Sequence, residues 1–536
     1  MKILKPLKTL FYLIILTFFI GTQYSFSEKK PNIIIIVCDD LNDSIEGMGG
    51  HPQAKTPNID RLARNGVRFM NAASNSPICG PSRASMWSGI HPVNTGMYGG
   101  KQQQNRWHNN EILKDKKTLF ETLIDAGYVN FTTGKIQHNG HENKEVYRNK
   151  DGTDGYGSLP NFGPYPNDGE EKNFRQGVLP PWWSQSDIDK GSRPYDGFGP
   201  LQDIKKYGKN WKWTMAYYGD EWDYRSGHDR DLMPDEVHAK EAVNFLQKDF
   251  KKPFLLTVGF SRPHSPWYAP QEYFDLFPID EIKLTNILDN DMSDCAKILA
   301  EDNDLAQPWG WWKFQKYQNM SEGKFKAWTQ AYLACVAFVD AQVGKVLEAV
   351  EARDDFENTL IIFTSDHGYH MGEKNYIFKL TPWEESVRIP LVVSGPNISK
   401  GKECPNPVSL IDIFPTCMDY AQTKHPHNLD GYSLRQLLEN PMNGKWSGPK
   451  FSLAACGSQA PIILNKPAPA EEQHLSLRTQ RFRYIRCRNG EEELYDHFND
   501  PFEWKNLSKE SEYIHDLNQM RLYLDNELDK LRKKNI

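Results

Sequence analysis

Asn32-Ile33-Ile34-Ile35-Ile36-Val37-Cys38-Asp39-Asp40 is a run of β-branched residues that stops on two adjacent carboxylates. A strand with one face in water alternates apolar and polar residues. This one does not, so it reads as a strand of a parallel sheet covered on both faces. Ligands of open α/β sheets gather beyond the carboxyl ends of the strands, which puts Asp39 and Asp40 where chemistry is expected. Two neighbouring carboxylates repel each other, and a cation is the usual remedy. A turn with a helix-capping Asp accounts for one of these acids better than for both.

Strands of the same kind recur along the chain. Residues 129–133 lead into Gly134-Lys135-Ile136-Gln137-His138, and 254–260 into Ser261-Arg262-Pro263-His264. Residues 360–365 lead into Asp366-His367-Gly368, and 389–393 form one more strand. Amphipathic stretches lie between them. Thr56 caps a helix with Pro57 in its first turn; others cover 82–89, 118–127, 235–250 and 324–351. Strands alternating with helices predict an α/β fold around a mostly parallel sheet. Val67-Arg68-Phe69 reads as a short strand leading towards Cys79, and a helix starting beside Cys79 favours negative charge there. Lys135 and His138 are three apart, so on one helical turn they could point the same way.

Two stretches, about 140–231 and 268–323, are rich in Gly, Pro, Asn and aromatic residues and have little periodicity. Asn161-Phe162-Gly163-Pro164-Tyr165, Pro180-Pro181-Trp182-Trp183 and Trp309-Gly310-Trp311-Trp312 fall in them. Such long irregular segments usually carry function. They read as insertions lining a substrate cleft, the alternative being surface elaborations packed on their own aromatics. From about residue 440 the composition shifts, and a Pro- and Ala-rich segment (461–470) precedes Phe482-Arg483-Tyr484-Ile485 and Glu493-Leu494-Tyr495-Asp496. A small antiparallel sheet closed by a helix at 511–531 is expected.

A chain of 536 residues with 39% hydrophobic and 25% charged residues is globular. Its net charge of −6 gives no global attraction to nucleic acid, so an anionic substrate must be met by a local basic cluster. Lys2, Lys5 and Lys8 precede an apolar run, 9–20, too short to span a bilayer comfortably, with small residues around Ser25-Phe26-Ser27. Residues 1–27 therefore read as an export signal, an uncleaved anchor being the alternative. The mature protein is expected in the periplasm or outside the cell, with no membrane span. No C-x-x-C pair occurs among the eight cysteines; Cys38 and Cys335 read as core thiols.

Cys79-Gly80-Pro81-Ser82-Arg83, together with Asp39-Asp40, Gly134-Lys135 and His138, Arg262-Pro263-His264 and Asp366-His367-Gly368, resembles the type I sulfatases, most of all the iduronate-2-sulfatase-like branch with its bacterial polysaccharide sulfatases. Glu493-Leu494-Tyr495-Asp496 and the residues up to Leu507 resemble the C-terminal subdomain of that family. The resemblance implies an alkaline-phosphatase-like α/β sandwich over 28–440, with a large, mostly parallel central sheet flanked by helices, and a small antiparallel C-terminal subdomain over 441–536. It implies oxidation of Cys79 to formylglycine by a maturation enzyme. Asp39, Asp40, Asp366, His367 and residue 79 would hold one divalent ion, calcium on the oxygen ligands, although His367 also suits a transition metal. Arg83 would help hold the nucleophile as its alkoxide, Lys135 and Lys379 would clamp the sulfuryl oxygens, His138 would act as base and His264 as acid for the leaving oxygen; His370 would line the cleft. The expected activity is sulfate removal from a sulfated glycan, ulvan-type first, with carrageenan and heparin-type substrates competing. A phosphomonoesterase or phosphonate hydrolase on the same fold, and a non-catalytic glycan-binding protein, are the other readings.

Overall fold

The computed structural model describes residues 29–99, 109–138, 157–170, 177–184, 193, 196–215, 220–306, 318–461, 463 and 466–533. The expected export signal, Trp309-Gly310-Trp311-Trp312 and parts of the first insertion lie outside them. Pro31–Ile536 forms one compact unit.

Its centre is a seven-stranded sheet. In chain order the strands are β1 (Asn32–Asp39), β2 (Gly66–Ala73), β3 (Val129–Gly134), β4 (Phe254–Pro263), β5 (Thr359–Ser365), β6 (Leu391–Ser394) and β7 (Lys402–Ser409). Across the sheet they run β7-β2-β6-β5-β1-β4-β3. β1 lies parallel to β4 and β5, and β3 to β4. Only β6 runs against its neighbours, pairing antiparallel with both β5 and β2. Ile34, Ile36 and Cys38 pack into one hydrophobic layer, and Ile33, Ile35 and Val37 into the other. The unbroken apolar run of β1 thus serves two cores at once.

One layer is made by α1 (Pro57–Arg64), α4 (Pro234–Leu246) and α5 (Glu322–Glu351); the opposite one by α2 (Cys79–Ser88), α3 (Leu119–Asp125) and α6 (Ile413–Tyr420). α3 starts with a complete capping box between Thr118 and Glu121. Thr56 stands at the N-cap of α1 but does not cap it with its side chain. Its hydroxyl accepts from Glu46 N (2.8 Å), and Asp340 of α5 accepts instead from the backbone N–H groups of Asn58 and Ile59 (3.2 and 2.9 Å). A carboxylate satisfies those orphan donors and the helix dipole together.

Four antiparallel strands, β8 (Ser452–Cys456), β9 (His474–Arg478), β10 (Phe482–Arg486) and β11 (Glu492–Asp496), form a second sheet, covered by α7 (Ile514–Lys533). The change of composition near residue 440 marks a change of sheet inside one body. Ala455 N donates to Asn75 O (2.9 Å), just before Cys79, and Ser476 Oγ to Pro382 O (2.6 Å), just after Lys379.

Candidate active site

The carboxyl ends of β1, β3, β4 and β5 and the start of α2 converge on one buried cluster. β1 delivers Asp39 and Asp40. Successive strand residues face opposite sides, so a straight strand would part the two carboxylates. Asp40 instead takes a left-handed backbone, φ 64, a conformation Asp tolerates better than most residues. Tyr332 of α5 holds that kink by donating its hydroxyl to Asp40 O (2.9 Å).

β3 ends on Gly134, whose φ is +80 and where an added Cβ would stand 2.0 Å from Gly259 O. The close approach lets Lys135 N bond Gly259 O (2.8 Å) and sends the Lys135 ammonium onto Asp39 Oδ2. After β5, Ser365 Oγ accepts from Leu41 N (3.0 Å) and donates to His367 O (2.9 Å), locking the turn that presents Asp366 and His367.

Cys79 lies at the first turn of α2, 1% exposed. Its Sγ is 3.4 Å from Asp39 Oδ1, 3.2 Å from His367 Nε2 and 3.1 Å from Lys379 Nζ. Lys379 also reaches Asp40 Oδ1 at 2.5 Å. Arg83, one turn along α2, donates Nε to Asp366 Oδ2 (2.8 Å) and Nη1 to Lys135 O. Ser82 Oγ donates to Asp366 O at 2.5 Å. His264 stands at the rim, its Nε2 4.0 Å from Asp40 Oδ2 and its side chain 17% exposed.

These charges set each other's protonation. Burial alone would raise Asp39, yet Lys135, His264, Lys379 and Arg83 together hold it well below the usual carboxylate range. Burial, with the neighbouring Asp39, lifts Asp40 to about 7 against the pull of Lys379. Burial and Asp39 oppose ionisation of Cys79, but Lys135, Lys379 and His367 outweigh them and bring the thiol well below its ordinary value. Burial works against a charged His367, but Asp366 and the Cys79 sulfur raise it to about 9. His264 is pushed by burial down to about 3.

The donor set fits a divalent cation. Asp39, Cys79, Asp366 and His367 each offer a ligand atom within 4.8 Å of the others. His367 Nδ1 bonds Gly368 O (2.9 Å), so Nε2 faces Asp40 Oδ1 at 3.5 Å and Asp366 Oδ1 at 3.6 Å. Asp40 Oδ2 is buried without a hydrogen-bond partner among the described residues.

Of the residues singled out in the sequence, Asp39, Asp40, Cys79, Arg83, Lys135, Lys379, Asp366, His367 and His264 are brought together. His138 follows an irregular segment rather than a helical turn; it is partly buried and its Nδ1 has no partner among the described residues. His370 is not a cleft wall. It is 0% exposed and bonds Glu373 O (3.1 Å) and Thr381 Oγ1 (2.6 Å), bracing the segment that carries Lys379. Sequence reasoning did not single out Phe162. Its ring lies 4.5 Å from the imidazole of His264 and 4.9 Å from Lys135 Nζ, and Arg262 Nη2 holds its carbonyl at 3.2 Å. The aromatic character of the first insertion was the available signal; which of its rings reaches the cluster was not in the pattern.

Comparison with known proteins identifies the class. The family model for sulfatases matches residues 31–423, and the model described as N-sulphoglucosamine sulphohydrolase, C-terminal, matches 372–534. A protein named Sulfatase from Formosa agariphila is 32% identical over 483 residues, covering 89% of this chain and 83% of that one. An ulvan-active sulfatase of the same organism is 26% identical over 518 residues, covering 94% and 81%. The solved structure of a 2-O GAG sulfatase superposes with a TM-score of 0.66 at 21% identity, covering 94% of this chain and 93% of that one. The chain belongs to the sulfatase family. It is a sulfuric ester hydrolase with the alkaline-phosphatase-like architecture of that family.

Proposed function

We propose that this enzyme removes sulfate from a sulfated polysaccharide or oligosaccharide, ulvan-type in the first instance, with residue 79 acting as formylglycine. The observation that carries the reading is the contact of Cys79 with Lys379, His367 and Asp39 at the start of a helix, inside a ring of three buried cations, Arg83, Lys135 and Lys379. A thiolate attacking sulfur would leave an S-sulfo adduct that is hard to clear. Formylglycine, when formed there, would supply a hydrated aldehyde, offering one hydroxyl as nucleophile towards sulfur and a second whose loss of a proton lets sulfate leave as the aldehyde re-forms. Asp39, Asp40, Asp366, His367 and residue 79 would hold a divalent ion, calcium on the carboxylates, which supplies positive charge beside the nucleophile.

The remaining work falls to the chain itself. Lys135 and Lys379 carry fixed positive charge for the sulfuryl oxygens, in a site that excludes water and so strengthens each contact. Arg83 fixes Asp366 and the carbonyl of Lys135, holding two strand ends in register. His264 Nδ1 bonds Ser265 O (2.6 Å), which leaves Nε2 facing the site. The negative charge of a bound sulfate ester favours protonation of that imidazole, which then gives the proton to the leaving oxygen. His138, in the irregular segment that follows β3, is assigned as the base for sulfate expulsion.

The name of the ulvan-active relative supports a glycan substrate, and so does Phe162, an aromatic face of the kind sugars stack on, set beside the site. Lys2, Lys5, Lys8 and the short apolar run after them support export.

Sulfate release from defined ulvan, carrageenan and heparin-type oligosaccharides, alongside an aryl sulfate and an aryl phosphate, tests the reaction and the substrate together. Peptide mass analysis of the same preparation reports residue 79. Full sulfate release by protein with an unaltered Cys79 would overturn the formylglycine reading. Exhaustive chelation is expected to abolish turnover and calcium to restore it; an unchanged rate after chelation contradicts the metal assignment.

A further inference from the structure

The first insertion holds a cleft of its own, about 250 Å³, none of whose lining residues belongs to the Cys79 cluster. Its scaffold is three short antiparallel strands, Tyr165–Asn167, Lys212–Thr214 and Glu221–Trp222. Trp213 and Trp222 pair across two of them, ring centroids 6.4 Å apart and nearly perpendicular. Both indole N–H groups are committed to backbone, Trp213 to Gln202 O (2.9 Å) and Trp222 to Leu232 O (3.1 Å). These rings form a fixed floor, and Trp213 is anchored further by Tyr268 at 5.3 Å. Trp211 and Tyr224, both half-buried, form the walls.

The rim is charged. Lys212 pairs with Glu221 (2.7 Å), and Asp223 meets Arg225 (3.3 Å). The ammonium groups of Lys205 and Lys209, both exposed, have no hydrogen bond or ion pair among the described residues. Trp211 and Tyr224 pack against the core yet stay half-buried in the cleft, whose lining carries Lys205, Lys209 and Lys212 beside Asp203, Glu221 and Asp223. Such a cleft offers an apolar face to a ring and, at Lys205 and Lys209, positive charge to an anionic substituent.

We propose that this cleft is a second binding site, taking a sulfated sugar unit of the polymer at a distance from the unit being cleaved. The inference rests on the reading of the substrate as a sulfated polysaccharide. The pyranose C–H face stacks on Trp211 and Tyr224, and Lys205 and Lys209 take the sulfate or carboxylate oxygens. The volume, below the roughly 300–1,000 Å³ of a drug-sized pocket, suits a single sugar unit. Anchoring one unit here raises the local concentration of its neighbours at the catalytic cluster without a new contact there.

The test compares the full enzyme with Trp211→Ala and with the double variant Lys205→Ala/Lys209→Ala. Dissociation constants for ulvan and for heparin are measured by affinity electrophoresis, with kcat/KM on an aryl sulfate alongside. Both variants are expected to bind polymer about tenfold more weakly, as truncating an interface anchor usually does. The lysine variant should also lose part of the salt dependence, and both should keep the aryl sulfate rate. The lysines are exposed, so their replacement keeps the test sound should Trp211→Ala fold poorly. Desulfation of polymer with unchanged affinity in both variants overturns this inference alone. Weakened binding in the variants without sulfate release from any polymer sustains the cleft and overturns the substrate reading. Wild-type enzyme that binds neither polymer overturns the cleft.

Discussion

At the scale of single residues, the cluster around Cys79 is defined by how its charges are enclosed. Arg83 and Lys135 look from the sequence like groups whose loss costs turnover far more than stability. The structure changes that expectation for Arg83. Its side chain is 0% exposed, it pairs with Asp366 and it also donates to the carbonyls of Lys135 and Ile136. Arg83→Ala strips the guanidinium from buried Asp366 and leaves the carbonyls of Lys135 and Ile136 without that donor, so a loss of about 3–5 kcal/mol of stability is expected along with the loss of activity. Arg83→Lys should recover part of the stability but not the forked contact. Thermal denaturation of both variants checks this; an unshifted melting temperature for Arg83→Ala refutes it. Phe162 behaves differently, since it is half-buried and its ring lies against His264 and 4.9 Å from the Lys135 ammonium, a contact that stabilises far less than a buried ion pair. Phe162→Ala is expected to lower kcat/KM by about 10- to 100-fold through lost orientation while the melting temperature barely moves. Phe162→Tyr should retain most activity, and steady-state kinetics on a sulfated oligosaccharide decide the matter.

At the scale of elements, the site depends on strand ends that stop at the same level. β3 and β4 approach so closely that a Cβ on Gly134 would stand 2.0 Å from Gly259 O, and a Cβ on Gly259 2.0 Å from the carbonyl of Lys135, the residue after β3. Gly134→Ala adds this collision to a left-handed backbone and should cost on the order of 2–4 kcal/mol. It should also displace Lys135 from Asp39, so activity falls further than in a variant of equal instability elsewhere. A melting temperature and turnover close to the parent's would show that the two strands can separate freely. The segment carrying Lys379 is held from the other side. Trp383 Nε1 donates to Glu493 Oε2 (2.7 Å) and Cys456 Sγ to Leu380 O (2.7 Å), while Arg483 joins Glu384 to Glu503. The second sheet thereby places a residue of the site that no strand of the first sheet carries.

At the scale of the whole molecule, His91 ties the segment that follows α2 to the second sheet and makes that junction sensitive to acid. It caps the short helix Pro92–Thr95 through Nδ1 and reaches Leu453 O of β8 through Nε2 at 3.0 Å, while its backbone N–H meets Asp430 Oδ2 (2.8 Å). Burial lowers its pKa to about 4, only partly offset by the Leu453 carbonyl. Above pH 6.5 it is neutral folded or unfolded. Between pH 6.5 and 4 the unfolded chain takes up a proton that the folded one refuses, so stability falls with pH, by about 3 kcal/mol at most. His91→Asn keeps a capping side chain and should flatten that part of the melting-temperature profile; an identical profile in both proteins refutes the assignment. The sequence by itself determined the strand at 32–39, covered on both faces, the alternation of strands with helices, and most of the residues that the fold brings together around Cys79. Those properties are local: periodicity, breakers and short motifs record which face of an element is buried and what stands at its end. Tertiary structure alone decided that β6 runs against its neighbours, that Asp340 rather than Thr56 caps α1, that His370 braces rather than lines the site, and that Phe162 reaches it. Each depends on which distant segment packs against which, and the patterning of a segment fixes what it must bury but not the partner that buries it.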